Sequence, residues 1–174
     1  MAATFEFQED NGALASGRGT TTTSARTECN WKNIDDSTTA YSSSPITAGN
    51  NSFTKYQFGH YSGSYNQVSA GLWAHTAGVP GTGVTIKGVV TTTYATPATS
   101  ANAALTTDMT TAIAIGSGAT VLFTPTSPNT ASPSASTTAN PAYTQFLPTQ
   151  LQTTGSAAAG DIPSQTLTLQ YNEN

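Results

Sequence analysis

Charged side chains are scarce in this chain of 174 residues. They make up 8% of it, against about 25% in an average globular domain, and they comprise five basic and nine acidic residues with a formal net charge of −4. The five basic residues all lie in the first half of the sequence: Arg18, Arg26, Lys32, Lys55 and Lys87. A basic patch that neutralises phosphates is therefore excluded, and we expect no nucleic-acid partner.

Cysteine and long apolar runs are also nearly absent. The single cysteine, Cys29, excludes an internal disulfide and a cysteine-based zinc site, and we expect it to be a buried or half-buried free thiol with no redox role. No run of 18 apolar residues is present, so we expect no membrane-spanning helix. The first residues, MAATFEFQ, lack the basic start and apolar stretch of a secretory signal, so we expect synthesis in the cytoplasm.

Threonine, serine and alanine fill the space, at about 44% of the chain. Threonine, serine, glycine and proline are poor helix formers, and the aromatic residues sit in short alternating segments between turn signals. The length fits one domain, residues 1–174. The sequence therefore predicts an all-β fold, a two-sheet antiparallel sandwich of jelly-roll or immunoglobulin-like type with about 8–10 strands.

Several segments show the alternation clearly. Tyr56, Phe58 and His60 are predicted to share one strand face, and Ala70-Gly71 is predicted to form a bulge. Pro148 predicts an edge strand or a bulge, because proline donates no ladder hydrogen bond. A hairpin is predicted between 110 and 124. The other predicted strands run from Thr4 to Gln8 (Phe5 and Phe7 on one face), Gly83 to Tyr94, Tyr143 to Gln152, and Gln165 to Tyr171.

Two segments look peripheral. Residues 1–27 are predicted to form an N-terminal arm, within which the Thr-rich stretch from Gly17 to Arg26 is either an exposed arm or a weak edge strand. Residues 125–142 are rich in proline, serine and threonine, and they predict a long surface loop.

The titratable residues give weak catalytic signals. A nucleophilic triad would need a serine and a carboxylate around His60 or His75, the two histidines of the chain. Ser62 in the segment GHYSG misses the nucleophile-elbow spacing by one position. The acid pairs Glu9-Asp10 and Asp35-Asp36 are compatible with a calcium site or a glycosidase pair. The turn context of Asp35-Asp36 favours carboxylates that bond their own backbone. We therefore nominate no catalytic, cofactor-binding or metal-binding residue.

The aromatic residues have two interpretations. Trp31, Trp73 and the tyrosines are compatible with a sugar-binding platform, whereas a sandwich with few large aliphatic residues needs them as core. We expect Trp31, Trp73 and Phe58 in the core. The sequence Asn50-Asn51-Ser52 matches a glycosylation signal, but we interpret it as a turn.

A family resemblance rests on motifs between residues 30 and 96 and at the C-terminus. They are NWKNIDD (30–36), NSFTKYQF (51–58), FGHYSGSYNQV (58–68), GLW (71–73), GVTIKG (83–88), YATP (94–97) and TLTLQYNEN (166–174). Their order resembles small β-sandwich virion proteins of tailed bacteriophages, which decorate the head or associate with the tail. The motifs consist of aromatic residues and turn glycines and carry no catalytic residue.

The resemblance implies a non-enzymatic structural protein of the virion. Our leading expectation is a capsid decoration (cement) protein that binds the major capsid protein and neighbouring copies of itself, as a dimer or trimer, on the outer head surface. The alternative is a tail- or fibre-associated adhesin that recognises host surface glycans. We give a hydrolase the least weight.

Overall fold

The computed structural model describes residues 2–98, 101–109, 118–160 and 162–174. Among these residues, one 3-10 turn, Tyr41–Ser43, accompanies eleven strands. The strands are β1 (Ala3–Ala15), β2 (Arg18–Arg26), β3 (Lys55–Gly63), β4 (Val68–Ala77), β5 (Val84–Gly88), β6 (Ala119–Val121), β7 (Phe123–Thr124), β8 (Ser136–Thr137), β9 (Ala142–Thr144), β10 (Leu147–Thr153) and β11 (Thr166–Glu173).

The strands form two antiparallel sheets. The first has the order β2-β1-β3-β10-β5, with β9 also beside β3 and β7 beside β9. The second has the order β11-β4-β6, with β8 also beside β4. The predicted all-β, two-sheet sandwich is confirmed. The strand number exceeds the prediction because β7 and β8 have two residues each, too few to show an alternating pattern.

The main core lies between the sheets. Trp73 and Val121 of the second sheet pack with Ile86 and Leu147 of the first, and all four are buried. On β1, Phe5 and Phe7 share one face, as predicted. They point to this side because their cross-strand partners Tyr61 and Gly59 do so too. Burial of these large side chains against both sheets is the main force that holds the sandwich together.

A second aromatic cluster covers the outer face of the first sheet. Tyr56 and Phe58 pack there with Tyr94 and Phe146, and Phe58 meets Phe146 edge-on with ring centroids 5.6 Å apart. His60 follows on the same face and stacks on Tyr143 at 5.0 Å. The predicted face of Tyr56, Phe58 and His60 is therefore confirmed. Large side chains therefore cover both faces of the first sheet. Because the chain has few large aliphatic residues, aromatic rings supply much of this coverage.

The bulge in β4 is confirmed. Gln170 pairs with Leu72 and Asn172 with Ser69, so β4 has one extra residue there, and Ala70 takes a φ of 55°. The prediction for Pro148 is wrong, because β10 lies in the middle of the first sheet. Proline is tolerated there because the ladder between β10 and β5 begins only at Thr149, the residue after Pro148, so it needs no N–H at position 148.

The N-terminal arm is the largest correction. Residues 3–26 form the hairpin β1–β2, and β1 pairs with β2 on one side and with β3 on the other. An arm would leave these backbone groups to water, whereas here the ladder satisfies them. Two structures were predicted for the stretch from Gly17 to Arg26, an exposed arm or a weak edge strand. The structure has the edge strand, β2.

The segment 125–142 is only partly a loop. It contains β8, which pairs with Val68 and Ser69 of β4, and Pro128 within it is buried. The predicted hairpin between 110 and 124 includes residues 110–117, which lie outside the described residues. Its second half is described as β6 and β7.

Candidate functional site

A cleft of about 1070 Å³ opens between the two sheets where β11 begins. Phe7 and Gln57 of the first sheet and Leu167 of the second sheet line it. The segments 26–31, 41–48, 157–160 and 162–165 contribute residues to its rim. Its size suits a small ligand, and a mostly apolar wall with a few polar groups is typical of binding sites.

Aromatic and planar polar side chains share this cleft. Tyr41 is 50% exposed at the rim. Trp31 is half-buried rather than fully in the core, and its Nε1 donates a hydrogen bond to Thr149 Oγ1 at 3.0 Å. Asn30 Nδ2 donates to Glu28 Oε2 at 2.8 Å. The other two predicted core residues, Trp73 and Phe58, are fully buried, so neither is available to a ligand.

Arg26 is the positively charged residue among those that line the cleft. Its Nη2 donates to the backbone carbonyl of Glu28 at 3.2 Å, while its Nε is buried without a hydrogen-bond partner in the described structure. Sequence reasoning missed the cleft as a whole, because its lining comes from segments that are remote along the chain. Tyr41 lies in a stretch with no alternation, so no pattern marked it.

Cys29 also lines the cleft. It is a free, half-buried thiol, as expected, and its Sγ lies 3.4 Å from Thr149 Oγ1. Burial raises the pKa of this thiol to about 12, and the nearby Glu9 carboxylate adds to the shift. The thiol is therefore protonated at neutral pH, the less reactive form.

The scarce charges are mostly paired with one another inside the molecule. The acid pair Glu9-Asp10 is fully buried, and its two side chains point to opposite faces of β1, as neighbours on a strand do. Asp10 Oδ1 accepts from Arg18 Nη2 at 2.7 Å on the outer face, whereas Glu9 Oε1 lies 3.4 Å from Lys55 Nζ on the inner face. Four of the five basic side chains have a carboxylate partner: Arg18, Lys32, Lys55 and Lys87.

Asp36 organises the turn that follows the acid pair Asp35-Asp36. Its carboxylate accepts hydrogen bonds from Lys32 Nζ at 2.7 Å and from the backbone N–H groups of Thr38 and Thr39. The expectation that an aspartate here bonds its own backbone is confirmed for Asp36. Asp35 instead accepts from the backbone N–H of Gly12 at 2.7 Å, and so ties this turn to β1.

We expect Asp36→Asn to make the protein less sensitive to acid. Although burial works against the charged form, the bonds from Lys32, Thr39 and Thr38 prevail and hold the pKa of Asp36 far below its usual 3.8. A carboxyl with a depressed folded-state pKa stabilises the fold above pH 3.8 and loses that contribution as the pH falls further. Urea unfolding at pH 7 should show a loss of about 1 kcal/mol for the variant. The gap should shrink at pH 2–3, and a gap that stays constant with pH would contradict this role.

The histidines have ordinary partners. His60 Nδ1 lies 3.2 Å from Glu6 Oε1, and His75 Nε2 lies 2.9 Å from Gln165 Oε1. The hydrogen bonds to Gln8 and His60 lower the pKa of Glu6. Within the described ranges, neither histidine bonds a serine, and no three His, Cys, Asp or Glu side chains converge as metal ligands.

Comparison with protein-family models, with curated proteins and with solved structures finds no match. Among the described residues, no helix has the length and apolar character needed to cross a membrane.

Proposed function

We propose that the chain is a non-enzymatic structural protein of a phage virion, and specifically a capsid decoration protein. It would bind the outer surface of the head, contact the major capsid protein and neighbouring copies of itself, and stabilise the shell. The observation that carries the proposal is the open edge of the first sheet at β2.

Strand β2 has the properties of an assembly edge. In the described structure it pairs with β1 alone, and Thr20, Thr21 and Thr22 are exposed along it. Natural sheets protect free edges with lysine, proline or a covering segment, yet the interior of β2 contains neither lysine nor proline. Such an edge supports addition of a strand from an adjacent subunit.

The distribution of charge supports the same proposal. Because the exposed middle of β2 is threonine and Arg18 at its start is paired with Asp10, a contact along the middle of β2 would rest on backbone groups, hydroxyls and methyl groups. Such a contact is weakly screened by salt. When a subunit binds a lattice through several weak contacts, its overall binding can still be strong. Once one contact has formed, the others form at a high effective concentration.

Co-sedimentation with mature phage heads stripped of accessory proteins tests the proposal. We expect saturable binding at a fixed ratio to the major capsid protein, with half-saturation changing less than about threefold between roughly 50 and 500 mM salt. Bound protein should raise the temperature at which the heads release DNA. Absence of binding to heads would refute the decoration role.

An edge variant makes this test specific. Thr20→Lys places a charge on the exposed edge and should weaken head binding at least about tenfold, because an edge lysine opposes strand addition. Val79→Lys is the matched control, since Val79 is strongly exposed in the loop before β5 and remote from β2 in the sheet order. Equal weakening by both variants would indicate a charge effect rather than an edge contact.

A tail- or fibre-associated adhesin for host glycans is the second candidate, and the cleft favours it. Trp31 and Tyr41 are aromatic residues that line it, and Asn30 and Glu28 add planar polar groups. Tyr41→Ala should abolish binding on a glycan array without loss of stability, because its side chain is half exposed. Leu14→Ala, at a comparably exposed apolar residue that does not line the cleft, should retain binding. An array with no bound glycan would end this candidate.

A further inference from the structure

Three side chains on the inner face of the first sheet form a buried group that the proposed function does not use. The ladder of β1 and β3 ends with the pairs Glu9–Gln57 and Asp10–Tyr56, and Asn11 and Lys55 are the next residues on the two strands. Glu9 and Lys55 are 0% exposed and Asn11 is 4% exposed. An amine, an amide and a carboxylate therefore share one site from which water is excluded.

The carboxylate of Glu9 bridges the other two groups. Its Oε1 accepts from Asn11 Nδ2 at 3.0 Å and lies 3.4 Å from Lys55 Nζ. Gln57 Nε2 holds the second oxygen of Glu9 at 3.3 Å, and the carbonyl oxygen of Asp36 accepts from Lys55 Nζ at 2.6 Å. The amine and the amide nitrogen thus meet at a single carboxylate oxygen.

The amide of Asn11 is oriented and only half satisfied. Its Nδ2 also donates to Asp35 Oδ1 at 3.0 Å, so two carboxylates fix the nitrogen end. Its Oδ1 is buried without a hydrogen-bond partner in the described structure. A buried carbonyl oxygen without a donor lowers the stability of the fold. A purely structural role therefore does not account for an amide at this position.

We propose that Lys55 and Asn11 become joined by an intramolecular amide bond, and that Glu9 moves the protons. The ammonium of Lys55 first gives a proton to Glu9, which replaces two buried charges with two neutral groups, a change that exclusion of water favours. The free amine attacks Asn11 Cγ, and a bond from Nζ to Cγ forms. Glu9, now protonated, protonates Nδ2, and the Cγ–Nδ2 bond breaks. The released ammonia takes one of the two protons on Nζ and leaves as ammonium, so that Nζ keeps a single proton in the new amide. No oxidant or reductant is needed.

The bond would act as a cross-link between two neighbouring strands. It would tie β1 to β3 and close the chain between residues 11 and 55 into a covalent loop, which constrains the unfolded state as other cross-links do. The hairpin β1–β2, whose edge is free, would be fastened to the body of the sheet. The inference does not depend on the capsid or glycan function, because it concerns the chain by itself.

Mass spectrometry of the purified full chain tests the inference. The intact mass should be lower than the sequence mass by one ammonia, about 17 Da. Trypsin does not cleave at an acylated lysine, so the digest should contain residues 1–18 joined to residues 33–87 as one branched peptide. Fragmentation should place the branch at Asn11 and Lys55.

Two variants separate the amide bond from its alternatives. Glu9→Gln keeps the shape of the side chain but cannot cycle the protons, and Lys55→Arg keeps the charge but removes the attacking amine. Both should show the full sequence mass, with far-UV circular dichroism as the check of folding. Asn11 precedes Gly12, a pair that also loses ammonia by closing a succinimide, but that loss would persist in Lys55→Arg and give no branched peptide.

The outcomes are decisive even if a variant fails to fold. A full-mass wild-type protein, or a digest in which residues 33–55 and 56–87 are separate, would overturn the inference. So would a loss of ammonia that survives in folded Lys55→Arg. A branched peptide that persists in folded Glu9→Gln would overturn the role of Glu9.

Discussion

Trp73→Ala is expected to lower the free energy of unfolding by about 3–5 kcal/mol. Trp73 is 1% exposed in the middle of β4 and packs with Ile86, Val121 and Leu147, so both sheets contact it. Removal of the indole would leave a cavity that two hydrogen-bonded sheets cannot collapse to fill. Urea unfolding followed by far-UV circular dichroism measures the change without relying on tryptophan fluorescence.

Trp31→Ala is the matched control for that experiment. Trp31 is half-buried against the open cleft, so its loss removes less buried surface and one hydrogen bond, and we expect a change of about 1–2 kcal/mol. A Trp73 variant within 1 kcal/mol of the wild type would mean that the space between the sheets is not a tightly packed core.

Arg18→Met is expected to cost about 2–4 kcal/mol, because it leaves a fully buried carboxylate without its cation. The guanidinium makes two bonds to Asp10, and it also lies 4.8 Å from the ring centre of Phe58. After the substitution, Asp10 would keep the bond from Thr22 Oγ1 at 2.7 Å and the weak one from the Gly19 N–H. We expect a value in the lower part of this range, because Arg18 is partly exposed and solvent screens its interaction with Asp10.

Lys87→Met controls for the loss of a positive charge. Lys87 Nζ lies 3.8 Å from Asp108 Oδ2 in a partly exposed pair, so the same substitution there should cost less than about 1 kcal/mol. The double variant Arg18→Met with Asp10→Asn should recover part of the loss, because the buried charge is gone. Equal losses for Arg18→Met and Lys87→Met would show that burial of Asp10 does not decide the effect.

The fold class was readable from the sequence because it depends on local pattern. The alternation around Phe58 predicted which side chains share a face, and the glycine after Ala70 predicted the bulge in β4. Each inference needed only neighbouring residues, since successive side chains on a strand point to opposite faces.

The N-terminal hairpin shows where local pattern failed. Glu9 and Asp10 were predicted to lie in an N-terminal arm, yet these acids sit in the middle of a strand with neighbours on both sides. The pattern misled because charged residues are almost never buried unless paired. Their partners, Arg18 and Lys55, cannot be assigned without the strand register.

The sequence by itself determined that the chain is all-β, poor in charge, rich in hydroxyls and without a basic surface, because composition and strand periodicity act over a few residues. Only the tertiary structure decided that β1 and β2 join the first sheet, that a cleft opens beside Trp31, and that Glu9, Asn11 and Lys55 meet in a dry site. These features depend on the register between strands remote in sequence. That register is set by how the whole core packs, which no single segment encodes.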